Sequence, residues 1–238
     1  MGAGPYVTVS YAQSIDGRIA TKRGNSQYIS GKKTLHLAHK LRKVNDAILV
    51  GVDTVLIDDP LLTCRFRGRE REKRNPARII LDSNLRTPLE SRIVRTAGTV
   101  PTIIFAGEQV EEEKREALQA RGIHIETGAW NAQSECIDLA RCLNRLYELE
   151  IETLFVEGGG KVITAFVREN LVDKMIVITA PMLIGAGVPA IGDLGITALE
   201  QAIRPYKVRR RRYGHDSAWE LYFHSRNAAK KHGKNDDD

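Results

Sequence analysis

Three segments of the sequence concentrate side chains that do chemistry. In Leu154-Phe155-Val156-Glu157-Gly158-Gly159-Gly160-Lys161 an apolar run enters three glycines and then a helical pattern. Glycines at such a junction let backbone N–H groups approach a phosphate, and the helix N-terminus adds favourable partial charge. The run matches neither G-x-G-x-x-G nor the P-loop, and a plain flexible turn is the competing reading. The second segment, Ser14-Ile15-Asp16-Gly17-Arg18-Ile19-Ala20, carries an Asp-Gly pair that also suits an ordinary turn. The third, Asp53 to Arg65, packs carboxylates, hydroxyls and a cation into thirteen residues. Each follows an apolar run. In open α/β sheets ligands bind beyond the carboxyl ends of strands, where all three segments would meet.

The elements that must position them can be read from pattern. Runs rich in Val, Ile, Leu and Phe predict strands at Tyr6–Tyr11, Ala47–Gly51, Ala77–Leu81, Thr102–Ala106, Ile123–Ile125, Thr153–Glu157, Lys174–Ala180, Tyr206–Tyr213 and Ala218–His224. Helical patterns cover Gly31–Val44 behind Ser30 as N-cap, Glu111–Arg121, Cys136–Leu149 and Lys161–Glu169. Strand and helix alternate through the first three quarters, which predicts an α/β fold with a mixed, mostly parallel sheet of about nine strands and helices on both faces. The last two strands flank the polar turn Gly214-His215-Asp216-Ser217 and predict a C-terminal antiparallel hairpin. With 238 residues and no linker-like stretch, one domain over residues 1–226 and a disordered tail over 227–238 is expected.

The 36 Lys and Arg against 30 Asp and Glu leave a formal charge of +6, and the tail cancels internally, so the excess lies in the body. Such a field gathers anions, from nucleic acid to phosphorylated small molecules. The densest basic run, Lys207 to Arg212, would point its charges to both faces if it is a strand, so a solvated edge is favoured over a nucleic-acid stripe. Membrane association is not expected, since the uncharged run Met175–Gly192 is broken by Pro181, Pro189 and several glycines, and no leader pattern is evident. Three cysteines without a Cys-x-x-Cys suit a reducing cytoplasm. His36 and His39 lack a third ligand at suitable spacing, so no metal is expected.

Several of these segments, in order, carry a family resemblance. Val7-Thr8-Val9-Ser10-Tyr11-Ala12-Gln13-Ser14-Ile15-Asp16-Gly17, Asp46-Ala47-Ile48-Leu49-Val50-Gly51 with Thr54-Val55-Leu56 and Asp58-Asp59-Pro60, and Val156-Glu157-Gly158-Gly159 together resemble the riboflavin-biosynthesis pyrimidine reductases, over about Pro5 to Phe223. The resemblance implies a dihydrofolate-reductase-like fold, a homodimer, and NADPH, with NADH as the lesser possibility. The implied reaction reduces the ribosyl group of a phosphoribosylamino-pyrimidine to a ribityl chain.

Carried over by motif, Ala12, Tyr28, Thr54, Asp58, Ser83, Gly158, Gly159, Gly160, Lys161 and Val162 would contact the cofactor. Ser26, Arg42, Leu62, Arg65 and Glu157 would contact the substrate, the arginines by bidentate bonds to its phosphate. Asp58 and Glu157 are the candidates to supply the proton that reduction of an imine requires. Two departures refine the reading. Members fused to a deaminase usually carry Lys where this sequence has Ser10, so the form found here is similar to the stand-alone branch acting on the 2,5-diaminopyrimidine. The zinc-deaminase signature is also absent from this sequence, so deamination is expected of another protein. The uracil analogue, or a pteridine-like substrate, is the alternative within the family.

Overall fold

The computed structural model of the chain describes residues 4–27, 29–64, 75–131, 133 and 136–224. In chain order its elements are β1 (Tyr6–Ser14), β2 (Arg18–Thr21), α1 (Lys32–Val44), β3 (Ala47–Gly51), α2 (Val52–Asp58), β4 (Ala77–Leu81) and α3 (Arg92–Arg95). There follow β5 (Thr102–Phe105), α4 (Glu112–Gln119), β6 (His124–Glu126), β7 (Trp130–Asn131), β8 (Cys136–Ile137), α5 (Leu139–Glu148) and β9 (Thr153–Gly158). The last are α6 (Gly160–Arg168), β10 (Lys174–Ala180), β11 (Gly187–Pro189), β12 (Lys207–Tyr213) and β13 (Asp216–Tyr222).

One nine-stranded sheet runs in the order β12-β13-β10-β1-β9-β3-β4-β5-β6. From β10 to β6 every neighbouring pair is parallel, and β13 pairs antiparallel with both β10 and β12. The nine runs expected as strands are the nine strands of this sheet. Its centre is covered on both faces, which is why β3 is apolar without alternation and buried at all five positions. On one face Leu139, Cys142 and Leu146 of α5 and Ile163 and Phe166 of α6 pack with Val9, Leu49 and Val156. On the other, Leu41 of α1, Val55 of α2, Ile93 of α3 and Leu118 of α4 pack with Ile48, Val50 and Phe155. The strict face change between Phe155 and Val156 follows from the two-residue period of a strand.

Several local expectations need correction. Gly31, not Ser30, caps α1, and the capping carboxylate comes from far along the chain: Asp216 Oδ2 accepts from Gly31 N–H at 2.8 Å and from Thr34 Oγ1 at 2.9 Å. Helix α5 begins at Leu139, where Asp138 accepts from Arg141 N–H at 3.0 Å, while Cys136–Ile137 pairs with Trp130–Asn131 as a short ribbon. That ribbon seats Trp130 against the core, where the sequence suggested a loop residue. The hairpin turn is narrower than expected, with Gly214 at φ 67° and Asp216 and Ser217 already in β13. The expected tail lies outside the described residues, as does the basic stretch 65–74.

Arg78 is the largest fully buried side chain among the described residues. Its guanidinium donates to Thr102 Oγ1 (2.9 Å), Thr96 Oγ1 (2.7 Å), and the carbonyls of Ile93 (2.9 Å), Val100 (3.0 Å) and Leu61 (3.4 Å). Burial lowers its pKa to about 10. From β4 it ties the segment after α2 to α3 and to the approach to β5.

Candidate active site

Strands β3 and β9 are parallel neighbours, yet the helices that follow them leave toward opposite faces, α2 to one core and α6 to the other. A crevice therefore opens at their carboxyl ends, as at other strand-order switch points. It is a cleft of about 1680 Å³. Its wall brings together Ala12, Ser26, Thr54, Asp58, Leu62, Ser83, Glu157 and Gly158 through Val162, the residues that the sequence assigned to cofactor and substrate. Tyr28 and Arg65 lie outside the described residues.

The glycine run is shaped by close contact. A Cβ on Gly51 would lie 2.8 Å from Val162 Cγ2, and one on Gly160 would lie 2.9 Å from the Pro189 carbonyl. Gly159 has φ 87°, a conformation that favours glycine. Helix α6 thus begins in a slot between the end of β3 and the β2–β11 ribbon. Among the described residues no side chain caps that N-terminus, so its first N–H groups remain available to an anion.

Glu157 is aimed by a bulge. Val156 pairs with Leu49 and Gly158 with Val50, so the β9 register steps past Glu157 and turns its side chain into the cleft. There Arg42 of α1 meets it with Nε, 2.7 Å from Oε2, and with Nη2 against Oε1, while Nη1 donates to the Thr63 carbonyl at 3.1 Å. Arg42 stands behind Glu157 and is not on the cleft wall. Its fork faces a protein carboxylate, where the sequence had suggested a substrate phosphate.

Asp58, the last residue of α2, faces the same end of the cleft. Desolvation first, and the nearby Glu157 charge second, raise its pKa above the ordinary carboxylate value. Beyond it Asp59 and Leu62 both have positive φ, at 38° and 51°. Asp59 is secured by Arg92, whose N–H donates to Oδ1 at 2.8 Å, and Leu61 by Arg78. These ties hold Leu62 buried against the cleft.

At the other end of α2, Asp53 accepts from Arg86 Nη2 at 2.8 Å and from Lys161 Nζ at 3.2 Å. The turn carrying Ser83 and Arg86 is fixed by Asp82, which accepts from the N–H groups of Arg86 and Thr87 and from the Thr87 hydroxyl. The sequence did not single out Asp53 for a role. The Asp16 turn is structural: its carboxylate accepts from Ser14 Oγ (2.5 Å) and from Gly185 N–H (2.6 Å). The Ser14 bond and those backbone donors lower the Asp16 pKa to about 2 and secure the approach to β11.

The chain matches the profile of the RibD C-terminal domain over residues 5–215. It belongs to that family. Riboflavin biosynthesis protein RibD of Aquifex aeolicus is 39% identical over 212 residues, covering 89% of this chain and 56% of that protein. A 2,5-diamino-6-ribosylamino-4(3H)-pyrimidinone 5′-phosphate reductase of Methanothermobacter thermautotrophicus is 36% identical over 202 residues, covering 84% of this chain and 89% of that one. The Thermotoga maritima deaminase/5-amino-6-(5-phosphoribosylamino)uracil reductase superposes with a TM-score of 0.71 at 26% identity, over 92% of this chain and 56% of that one. The chain thus spans about half the length of the bacterial RibD relatives it matches and most of the archaeal reductase. Among the described residues no helix is long and apolar enough to cross a membrane.

Proposed function

We propose that this RibD C-terminal domain chain reduces the ribosyl group of 2,5-diamino-6-(5-phosphoribosylamino)pyrimidin-4(3H)-one to the ribityl form with NADPH. The observation that carries the reading is the carboxylate pair Asp58 and Glu157 at one end of a cleft whose middle is a glycine-lined helix N-terminus. That cradle fits a dinucleotide: Gly158, Gly159 and Gly160 line the cleft without side chains, and α6 offers N–H donors to a pyrophosphate.

When bound there, a reduced nicotinamide supplies two electrons as hydride to the sugar carbon of the ring-opened imine. The chain supplies position and the proton. Asp58, whose pKa is raised first by desolvation and then by the neighbouring Glu157 carboxylate, is the group placed to donate the proton that the imine nitrogen takes up. Arg42 prevents Glu157 from turning away, and buried Leu62 closes the wall.

Ser10 of β1, paired with Ile176 of β10, is buried at the cleft wall, where the Lys usual in the fused type would add a cation. Its neutrality supports the diaminopyrimidine over the uracil. The second reading, reduction of the uracil analogue, is favoured by the superposition on the Thermotoga enzyme. A homodimer would give cover to the apolar side chains Leu183, Leu199, Ile203 and Tyr206, which follow β10 in the sequence and are exposed in the single chain. The test is product analysis after incubation with deuterated reduced cofactor: a ribityl product carrying one deuterium supports the proposal, and unchanged ribosylamine contradicts it.

A further inference from the structure

Asp53, Arg86 and Lys161 come from the start of α2, the turn after β4 and the first turn of α6, and meet on the cleft wall. Each carboxylate oxygen of Asp53 holds one cation, Oδ1 taking Arg86 Nη2 at 2.8 Å and Oδ2 taking Lys161 Nζ at 3.2 Å. The arrangement resembles an oxyanion bridging two cations, with the oxyanion supplied by the protein. All three groups are solvent-accessible, Lys161 at 92%, so the bridge is weak and exchangeable. It lies at the opposite end of α2 from Asp58, so a dinucleotide with its nicotinamide beside the carboxylate pair and its pyrophosphate at the start of α6 would bring its adenosine half toward Asp53.

Resting on the reductase reading above, we infer that Asp53 sets how strongly this site discriminates a 2′-phosphorylated dinucleotide from its unphosphorylated counterpart. The ligand and the Asp53 carboxylate compete for the same two cations. A 2′-phosphate must displace the Asp53 carboxylate from Arg86 and Lys161, then tolerate it as a neighbouring like charge. A ribose 2′-hydroxyl, in contrast, finds in Asp53 an acceptor and displaces nothing, the role that an acidic side chain plays in sites selecting the unphosphorylated cofactor. One residue thus weakens the first ligand and accommodates the second. With Asp53 in place the preference for the phosphorylated form is narrow, although two cations are at hand.

The experiment titrates 2′,5′-ADP and 5′-AMP, which differ by the phosphate at issue, into the full chain and into its Asp53→Asn and Asp53→Ser variants by calorimetry. Asp53→Asn should bind 2′,5′-ADP about tenfold more tightly, the effect of freeing a charge-assisted contact, while 5′-AMP is unchanged or weaker. Asp53→Ser should do the same, and Asp53→Asn combined with Arg86→Ala should lose the gain. An unchanged ratio of the two affinities in folded Asp53→Asn and Asp53→Ser overturns the inference and leaves the reductase reading intact. A wild-type chain that binds neither nucleotide and oxidises no reduced dinucleotide overturns both.

Discussion

Arg42 grips Glu157 with two guanidinium nitrogens at the point where β9 bulges away from β3. The bulge turns the carboxylate out of the ladder, and the guanidinium fork fixes both of its oxygens. Neither feature alone would hold a flexible Glu in one place. Together they present an immobile carboxylate to whatever lies beside Asp58.

Arg42→Lys keeps the charge and loses the fork. Turnover should fall about 10- to 100-fold as Glu157 gains freedom, with a smaller change in substrate KM. Breaking the pair should cost about 1–3 kcal/mol, since one end remains partly accessible to water. Steady-state kinetics with urea unfolding separates the two, and wild-type turnover in the variant would show that Glu157 needs no such support.

Asp58→Asn should lower turnover about 10²-fold or more, the usual loss on removing a positioned proton donor. The pH profile should change as well. Because the folded-state pKa of Asp58 is raised, its acid form and the turnover it supports decline as pH climbs through that value, and the variant should lose this limb. The stability sign is opposite to that of a salt-bridged carboxylate. Stability associated with the acid form is complete below the ordinary pKa of 3.8 and is lost as pH rises through the raised value, so Asp58→Asn should be slightly more heat-stable than wild type at neutral pH and not in strong acid. Thermal melts across that pH range check the sign.

Gly160→Ala places a methyl against the Pro189 carbonyl. The β2–β11 ribbon must shift to admit it, at a cost of about 1–3 kcal/mol. Affinity for the dinucleotide should fall more than substrate affinity, as equilibrium binding of each would show.

Arg78→Met should destabilise the chain by about 3 kcal/mol or more, because it leaves three carbonyls and two hydroxyls facing an apolar side chain. Urea denaturation measures this directly. The cleft should suffer too, since Leu61 is one of the tethered groups.

Much of this was legible in the sequence for definite reasons. Strands buried on both faces, such as Ala47–Gly51, announce themselves as unbroken apolar runs, whereas the basic edge strand Lys207–Tyr213 and its partner Asp216–Tyr222 are legible as a hairpin around a polar turn. Elements stabilised by distant partners were not. The seven-residue α2 lacks length for a period, and the β2–β11 ribbon joins segments more than 160 residues apart. The cap of α1 by Asp216 and the burial of Arg78 among neutral acceptors are likewise tertiary facts without a local signature. The motif residues Asp58, Glu157 and the glycines lie at one cleft, and that the Arg42 guanidinium faces Glu157 is visible only in the fold. Asp53 opens one of the chemistry-bearing segments, but its pairing with Arg86 and Lys161, 33 and 108 residues away, has no local signature.

The most direct test of the account is anaerobic consumption of NADPH by the purified chain, with the 2,5-diaminopyrimidine and the uracil substrates supplied separately. The account predicts turnover with the diaminopyrimidine at a kcat/KM well above that for the uracil, and loss of both in Asp58→Asn. No consumption with either substrate would contradict it.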